Sequence, residues 1–205
     1  MTRDLDIAKT ALLIVDMQND FVRCGGAMQV EDALKTVPAI KNLLDFARAK
    51  DMPVIYTKFV TGKNSSLLWN WSPQIQQDNA CRRCFERHYP DVQKTLNCSD
   101  IIDELSPLQN EYVIEKYWYS SFRNTSLVDV LQSENCDTVI VTGTVTQICV
   151  EDTVHDAFAN GFKVIVAQDG VSSFDDELHQ ATLKNIEMKY GYVMTSEEII
   201  KSLKR

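Results

Sequence analysis

The apolar runs "ALLIV" (11–15) and "TVIV" (138–141) constrain the fold more than any other feature of this chain. A strand with one wet face alternates apolar and polar residues; uninterrupted runs fit strands covered on both sides. Further strands are expected around these two, giving six at 10–17, 53–60, 111–118, 137–143, 162–170 and 192–196. Between them the apolar spacing changes to that of helices, at 37–50, 125–134, 148–161, 175–191 and 196–205. In the first of these, Ile40, Leu43, Leu44 and Ala47 share a face, and Pro38 stands near the first turn, where its missing N–H costs little. Strand–helix alternation implies an α/β fold with a six-stranded, mostly parallel sheet and helices on both faces. Residues 1–205 read as a single domain without internal repeats.

A chain of 205 residues can bury about 70% of its unfolded surface and needs no disulfide staples. The net charge of −8 disfavours nucleic acid or an anionic membrane as a partner. The opening MTRDLDIAKT lacks the basic-then-apolar order of a signal peptide, and no apolar run is long enough for a bilayer. Six cysteines without an export signal read as reduced thiols in a cytoplasmic protein.

The segment 61–98 is polar, spotted with aromatics and weakly periodic. Long stretches of this kind are functional or disordered; Trp69 and Trp71 argue for a folded lid or intersubunit insertion, where they pack or wall a pocket. Within it, "CRRCFERH" offers Cys81, Cys84 and His88, which with Cys98 make up the ligand types of a zinc site. A second paired motif with ordinary spacing is missing, so loop cysteines are preferred to a metal site or a redox pair, and no metal is expected. Arg82 and Arg83 are either contacts for a substrate carboxylate or, as the simpler reading, a solvated basic turn.

Ligands of open parallel sheets bind beyond the carboxyl ends of the strands. Three reactive side chains fall there: Asp16 after the first strand, Lys116 near the end of the third, and Cys149 after the fourth. Each alone has an ordinary reading, as a turn cap, a solvated lysine and a small core residue. Together at one rim they make a less ordinary coincidence. With Thr146 as helix cap, Cys149 would sit in a first turn, where unpaired N–H groups and a nearby ammonium lower a thiol pKa. The same helix is expected to bury Val150, Val154, Ala157 and Phe158. His155, about 9 Å further along the helix and on another face, is too far to act as the base of Cys149. His88 and His179 lie in other segments and stay open, with a carboxylate the better choice.

"LLIVDMQNDF" (12–21), "EKYWYSSFRNTSL" (115–127) and "VTGTVTQICVEDTVHDAF" (141–158) resemble the isochorismatase-like cysteine hydrolases, a group that includes nicotinamidases and N-carbamoylsarcosine amidohydrolase. The resemblance covers nearly the whole chain apart from 61–98. It implies a three-layer sandwich, usually a homo-oligomer, and an Asp16–Lys116–Cys149 triad working without a cofactor. It also implies a cis Thr144–Val145 peptide, an oxyanion hole from the Val145 and Cys149 N–H groups, and a pocket including Phe21 and Tyr119. The activity implied is hydrolysis of a small amide, carbamoyl or ureido substrate through a thioester, with water as second reactant. Nicotinamidases carry metal-binding histidines after the second strand; "YTKFVTGKNSS" has none, which argues against nicotinamide. Gln147 stands where the family often has Asn or Asp. Two alternatives remain: vinyl-ether hydrolysis, which needs Asp16 but not Cys149, and a non-catalytic binding or redox module built on the cysteines of 81–98.

Overall fold

The computed structural model describes residues 5–61 and 72–204. Its centre is a six-stranded, all-parallel sheet: β1 (Thr10–Val15), β2 (Val54–Phe59), β3 (Tyr112–Lys116), β4 (Thr138–Thr144), β5 (Lys163–Ser172) and β6 (Tyr192–Met194). The spatial order is β3–β2–β1–β4–β5–β6, so the direction of winding reverses between β1 and β4. Crevices at such reversals are where open α/β sheets bind ligands.

The uninterrupted run of β1 is explained by what covers it. Leu12 and Ile14 face one apolar layer, which includes Ile40, Leu43 and Leu44 of helix α1 (Ala33–Ala49) and Ile199 of α5 (Ser196–Ser202). Ala11, Leu13 and Val15 face the other. That layer holds Leu127 and Leu131 of α2 (Leu127–Ser133), Val154 and Ala157 of α3 (Glu151–Ala159), and Leu183 and Ile186 of α4 (Asp176–Lys189). Fully burying each such side chain is worth roughly 1.5–3 kcal/mol, which is why both faces must be closed. At the carboxyl ends, Gly143 lets β4 press onto β1: a Cβ there would fall 2.0 Å from the Val15 carbonyl oxygen.

Three local expectations change. α1 starts at Ala33, four residues before 37, because Ala33, Thr36 and Val37 extend the buried stripe. Pro38 is therefore inside the helix, on its exposed face, where water can satisfy the carbonyl that loses its donor. Phe158 is not in the core but 51% exposed, with its ring edge-on to Tyr190 at 5.5 Å. Thr146 does not cap a helix. Residues Thr146–Val150 form a wide turn before α3, in which the Val150 N–H reaches back to the Val145 carbonyl at 3.1 Å. The Thr146 hydroxyl is turned inward and donates to the Ser172 carbonyl at 2.9 Å.

Within 61–98 the described part holds a one-turn helix (Gln74–Gln77) and an antiparallel hairpin pairing Glu86–Tyr89 with Lys94–Asn97. Trp69 and Trp71 lie outside the described residues. No helix among the described residues is long and apolar enough to cross a membrane.

Candidate active site

β1 ends at Val15, and Asp16 takes a left-handed backbone conformation (φ 52°) that turns the chain off the sheet. Aspartate tolerates that region better than most residues. Its side chain is completely buried, and Oδ1 accepts a hydrogen bond from the Thr57 hydroxyl on the neighbouring β2 at 2.8 Å. Gln18 fixes the same loop: its Nε2 donates to the carbonyls of Phe59 and Ser99, both at 2.9 Å, and its Oε1 accepts from the Phe59 N–H at 2.7 Å.

Lys116 closes β3, paired in register with Phe59. Its ammonium is also fully buried and lies 2.7 Å from Asp16 Oδ2. Nζ also donates hydrogen bonds to the carbonyls of Trp118 (3.1 Å) and Tyr119 (2.6 Å). Asp16 Oδ2 is thus ion-paired with a buried ammonium. A buried ion pair is tolerated only with this kind of close geometry and added polar partners.

Cys149 lies in the wide turn after β4, 4% exposed. Asp16 and Lys116 are both immediate polar neighbours of its thiol. The Thr153 hydroxyl, which accepts from the Ser121 N–H at 3.0 Å, donates to the Cys149 carbonyl at 2.6 Å and so fixes the turn. Burial pushes the thiol well above its ordinary pKa; the Lys116 charge opposes this and the Asp16 charge adds to it. The expectation of a lowered thiol pKa is therefore reversed. Cys149 sits in a buried turn rather than at the solvated start of a helix, so desolvation outweighs the ammonium. For Lys116, burial acts downward, but the charges of Asp16 and Cys149 prevail and its pKa is raised. The resting state is a neutral thiol beside a carboxylate–ammonium pair.

The Thr144–Val145 peptide is cis. Val145 and Cys149 border a cavity of about 490 Å³, with Phe21, Phe59, Tyr119, Ile148 and Phe174 among its walls and Gln29, Ser72 and Gln74 as polar lining. Phe21 and Tyr119, both named from the sequence as pocket residues, line this cavity. The sequence reading passed over Thr57, Gln18 and Phe174. A polar residue inside the apolar run "VIYTKFV" was the available signal for Thr57; Phe174, 62% exposed on a loop, carried none.

None of the histidines serves the sulfur. His155 stacks near Tyr190 (4.2 Å) and stands 3.9 Å from Glu151; His88 is exposed. His179 makes a 2.9 Å hydrogen bond through Nδ1 with the Thr146 hydroxyl, and burial lowers its pKa. Cys81 and Cys98 are buried while Cys84 is exposed, and among the described residues no group of three or more His, Cys, Asp or Glu is placed to hold a metal ion. Arg82 bonds Asn79, and Arg83 pairs with Glu115 and Tyr117, so both act at the surface.

Residues 10–198 match the isochorismatase domain. The chain belongs to the isochorismatase family. It is accordingly a hydrolase. Ureidoacrylate amidohydrolase RutB of Cronobacter sakazakii is 33% identical over 197 residues, covering 90% of this chain and 84% of that protein. A solved cysteine hydrolase from Pseudomonas syringae pv. phaseolicola superposes with a TM-score of 0.84 at 30% identity, over 97% of this chain and 93% of the other. N-carbamoylsarcosine amidase from Thermoplasma acidophilum gives a TM-score of 0.72 at 29% identity, over 92% and 97% of the two chains.

Proposed function

We propose that this isochorismatase-family hydrolase is a cysteine-dependent amidohydrolase that cleaves a small amide, carbamoyl or ureido compound through a Cys149 thioester. The observation that carries the reading is the place of Cys149. Cys149 borders the cavity, and Asp16 and Lys116, paired at 2.7 Å, are the two charged groups that act on its thiol. The named activities of the relatives, ureidoacrylate amidohydrolase and N-carbamoylsarcosine amidase, point to the same substrate class.

The chemistry follows from the resting charges. A neutral thiol is a poor nucleophile, so its proton must leave as the sulfur attacks. Asp16 is the acceptor within reach: it is the carboxylate that acts on the Cys149 thiol. As the S–C bond forms, the carbonyl oxygen gains charge. The N–H groups of Val145 and Cys149, two residues that border the cavity, are the donors that would receive that oxyanion. Asp16 then returns its proton to the departing nitrogen and the C–N bond breaks. Water adds to the thioester while giving a proton to Asp16, and collapse of that adduct passes the proton back to sulfur. Lys116 stabilises the carboxylate and the transient thiolate throughout.

The test is ammonia release from a panel of small amides and ureides, ureidoacrylate included, together with mass spectrometry of trapped Cys149 adducts. A variant Cys149→Ala that keeps full amidase activity would falsify the reading. Vinyl-ether hydrolysis would instead survive that change and be lost in Asp16→Asn.

A further inference from the structure

We infer that Asp20 is a positioning residue that sets the width of the cavity in front of Cys149, because its one carboxylate ties two of the cavity's walls together. The inference rests on the proposed reading only in taking that cavity as the substrate's. Asp20 lies four residues after Asp16, is completely buried, and is not itself a wall residue.

One wall is the run Ala27, Met28, Gln29 and Val30. It hangs from Asp20 and its neighbour. The Ala27 N–H donates to Asp20 Oδ1 (3.3 Å), the Met28 N–H to the Asp20 carbonyl (3.2 Å), and the Val30 N–H to the Phe21 carbonyl (2.8 Å). Gly26 lies so close beneath that a Cβ would stand 2.3 Å from the Asp20 carbonyl oxygen. The other wall includes Ser72 and Gln74. The Gln74 carbonyl accepts from the Ala80 N–H at 3.2 Å, and the next N–H, of Cys81, donates to Asp20 Oδ2 at 2.8 Å. From the hairpin beyond, Arg87 Nε and the Tyr89 hydroxyl each donate to Oδ1 at 2.8 Å.

Four donors from two separate segments thus converge on one buried carboxylate, with a guanidinium that compensates its charge. A carboxylate is acceptor-only and can satisfy all four. An asparagine cannot, because its NH₂ must face one of the donors. Removing the charge or its partners lets the two segments part, whereas the thiol and its carboxylate–ammonium pair stay anchored in the sheet ends. Asp20 therefore acts on which molecules reach Cys149 rather than on the reactivity of the sulfur.

Two variants test this: Asp20→Asn, and Arg87→Gln combined with Tyr89→Phe, which keeps the carboxylate. Alkylation of Cys149 is timed with iodoacetamide, which is small, and with N-phenyliodoacetamide, which needs the cavity's width. Both variants are expected to change the ratio of the two rates by on the order of tenfold, with little change for iodoacetamide. Deuterium uptake should rise in 19–30 and 72–98 and stay as in the parent protein in β1 and β4. A ratio and an exchange pattern equal to the parent's overturn the inference. So does a double variant that leaves both unchanged while Asp20→Asn simply unfolds. If neither reagent modifies Cys149 in the parent protein, the proposed function fails, and hydrogen exchange alone decides the role of Asp20.

Discussion

Four cysteines of this molecule are buried, and the difference between two of them, Cys149 and Cys98, separates chemistry from packing. Cys149 and Cys98 are both shielded from water, and burial raises both thiols, Cys98 to about 12. Both have a carboxylate nearby, Asp16 for one and Asp20 for the other. The Cys98 thiol points at backbone, 3.2 Å from the Arg82 carbonyl oxygen, and Asp20 is already saturated by four donors. Cys149 borders a cavity, and its carboxylate is held at 2.7 Å from a buried ammonium. Burial alone marks neither as reactive. What sets Cys149 apart is the carboxylate–ammonium pair acting on its thiol and the cavity it borders.

The largest effects should come from breaking the reactive site. Cys149→Ala is expected to lower kcat/KM for ammonia release by about 10⁴-fold or more, since a covalent step then has no nucleophile. Steady-state rates on whichever ureide the panel identifies measure it.

Next in size are changes to the pair behind the sulfur. Asp16→Asn should lower kcat by roughly 10²–10⁴-fold through loss of the base. Lys116→Met leaves a buried carboxylate unpaired and should destabilise the fold by about 3–5 kcal/mol, read by denaturant unfolding. The contrasting exposed pair of Arg83 with Glu115 predicts no measurable shift for Arg83→Gln.

Alkaline pH sharpens the comparison at a smaller scale. The folded thiol of Cys149 and the folded ammonium of Lys116 both hold their protons above the ordinary values of 9.0 and 10.5. Unfolded chains lose those protons first, so stability is complete below about pH 9 and falls as pH rises beyond it. The decline between pH 9 and 11 should be shallower in Cys149→Ala than in the parent protein, in melting temperatures taken across that range.

Smaller still is the rim. Phe174→Ala removes a wall side chain that is mostly in water, so KM should rise a few-fold, about 2–5-fold, with melting temperature and kcat little altered. Last, Cys98→Ser keeps a donor toward the Arg82 carbonyl and should leave kcat within about threefold of the parent, the outcome that keeps the two sulfur sites distinct.

Much of the architecture was legible because strands buried on both faces leave a plain mark. The runs at 11–15 and 138–141 became the two central strands, and the residues after them flank the reversal point of the sheet. Local periodicity misjudged what depends on distant neighbours. It placed Phe158 in the core by its spacing from Val154, but what lies opposite is Tyr190 at the surface. It made Thr146 a cap, but Ser172, 26 residues away, takes its hydroxyl. Gln18 and Thr57 bond partners about 40 residues distant, a relation that no window of sequence contains.

The sequence by itself determined the order of strands and helices and the kinds of reactive groups at the strand ends, because hydrophobic period and residue chemistry are local properties. The tertiary structure alone decided that Asp16 and Lys116 meet at 2.7 Å, that the thiol beside them stays protonated, and that Asp20 gathers two walls. Those outcomes depend on burial and on contacts that span as many as 133 residues of the chain, and only packing sets the dielectric and the distance through which charges act.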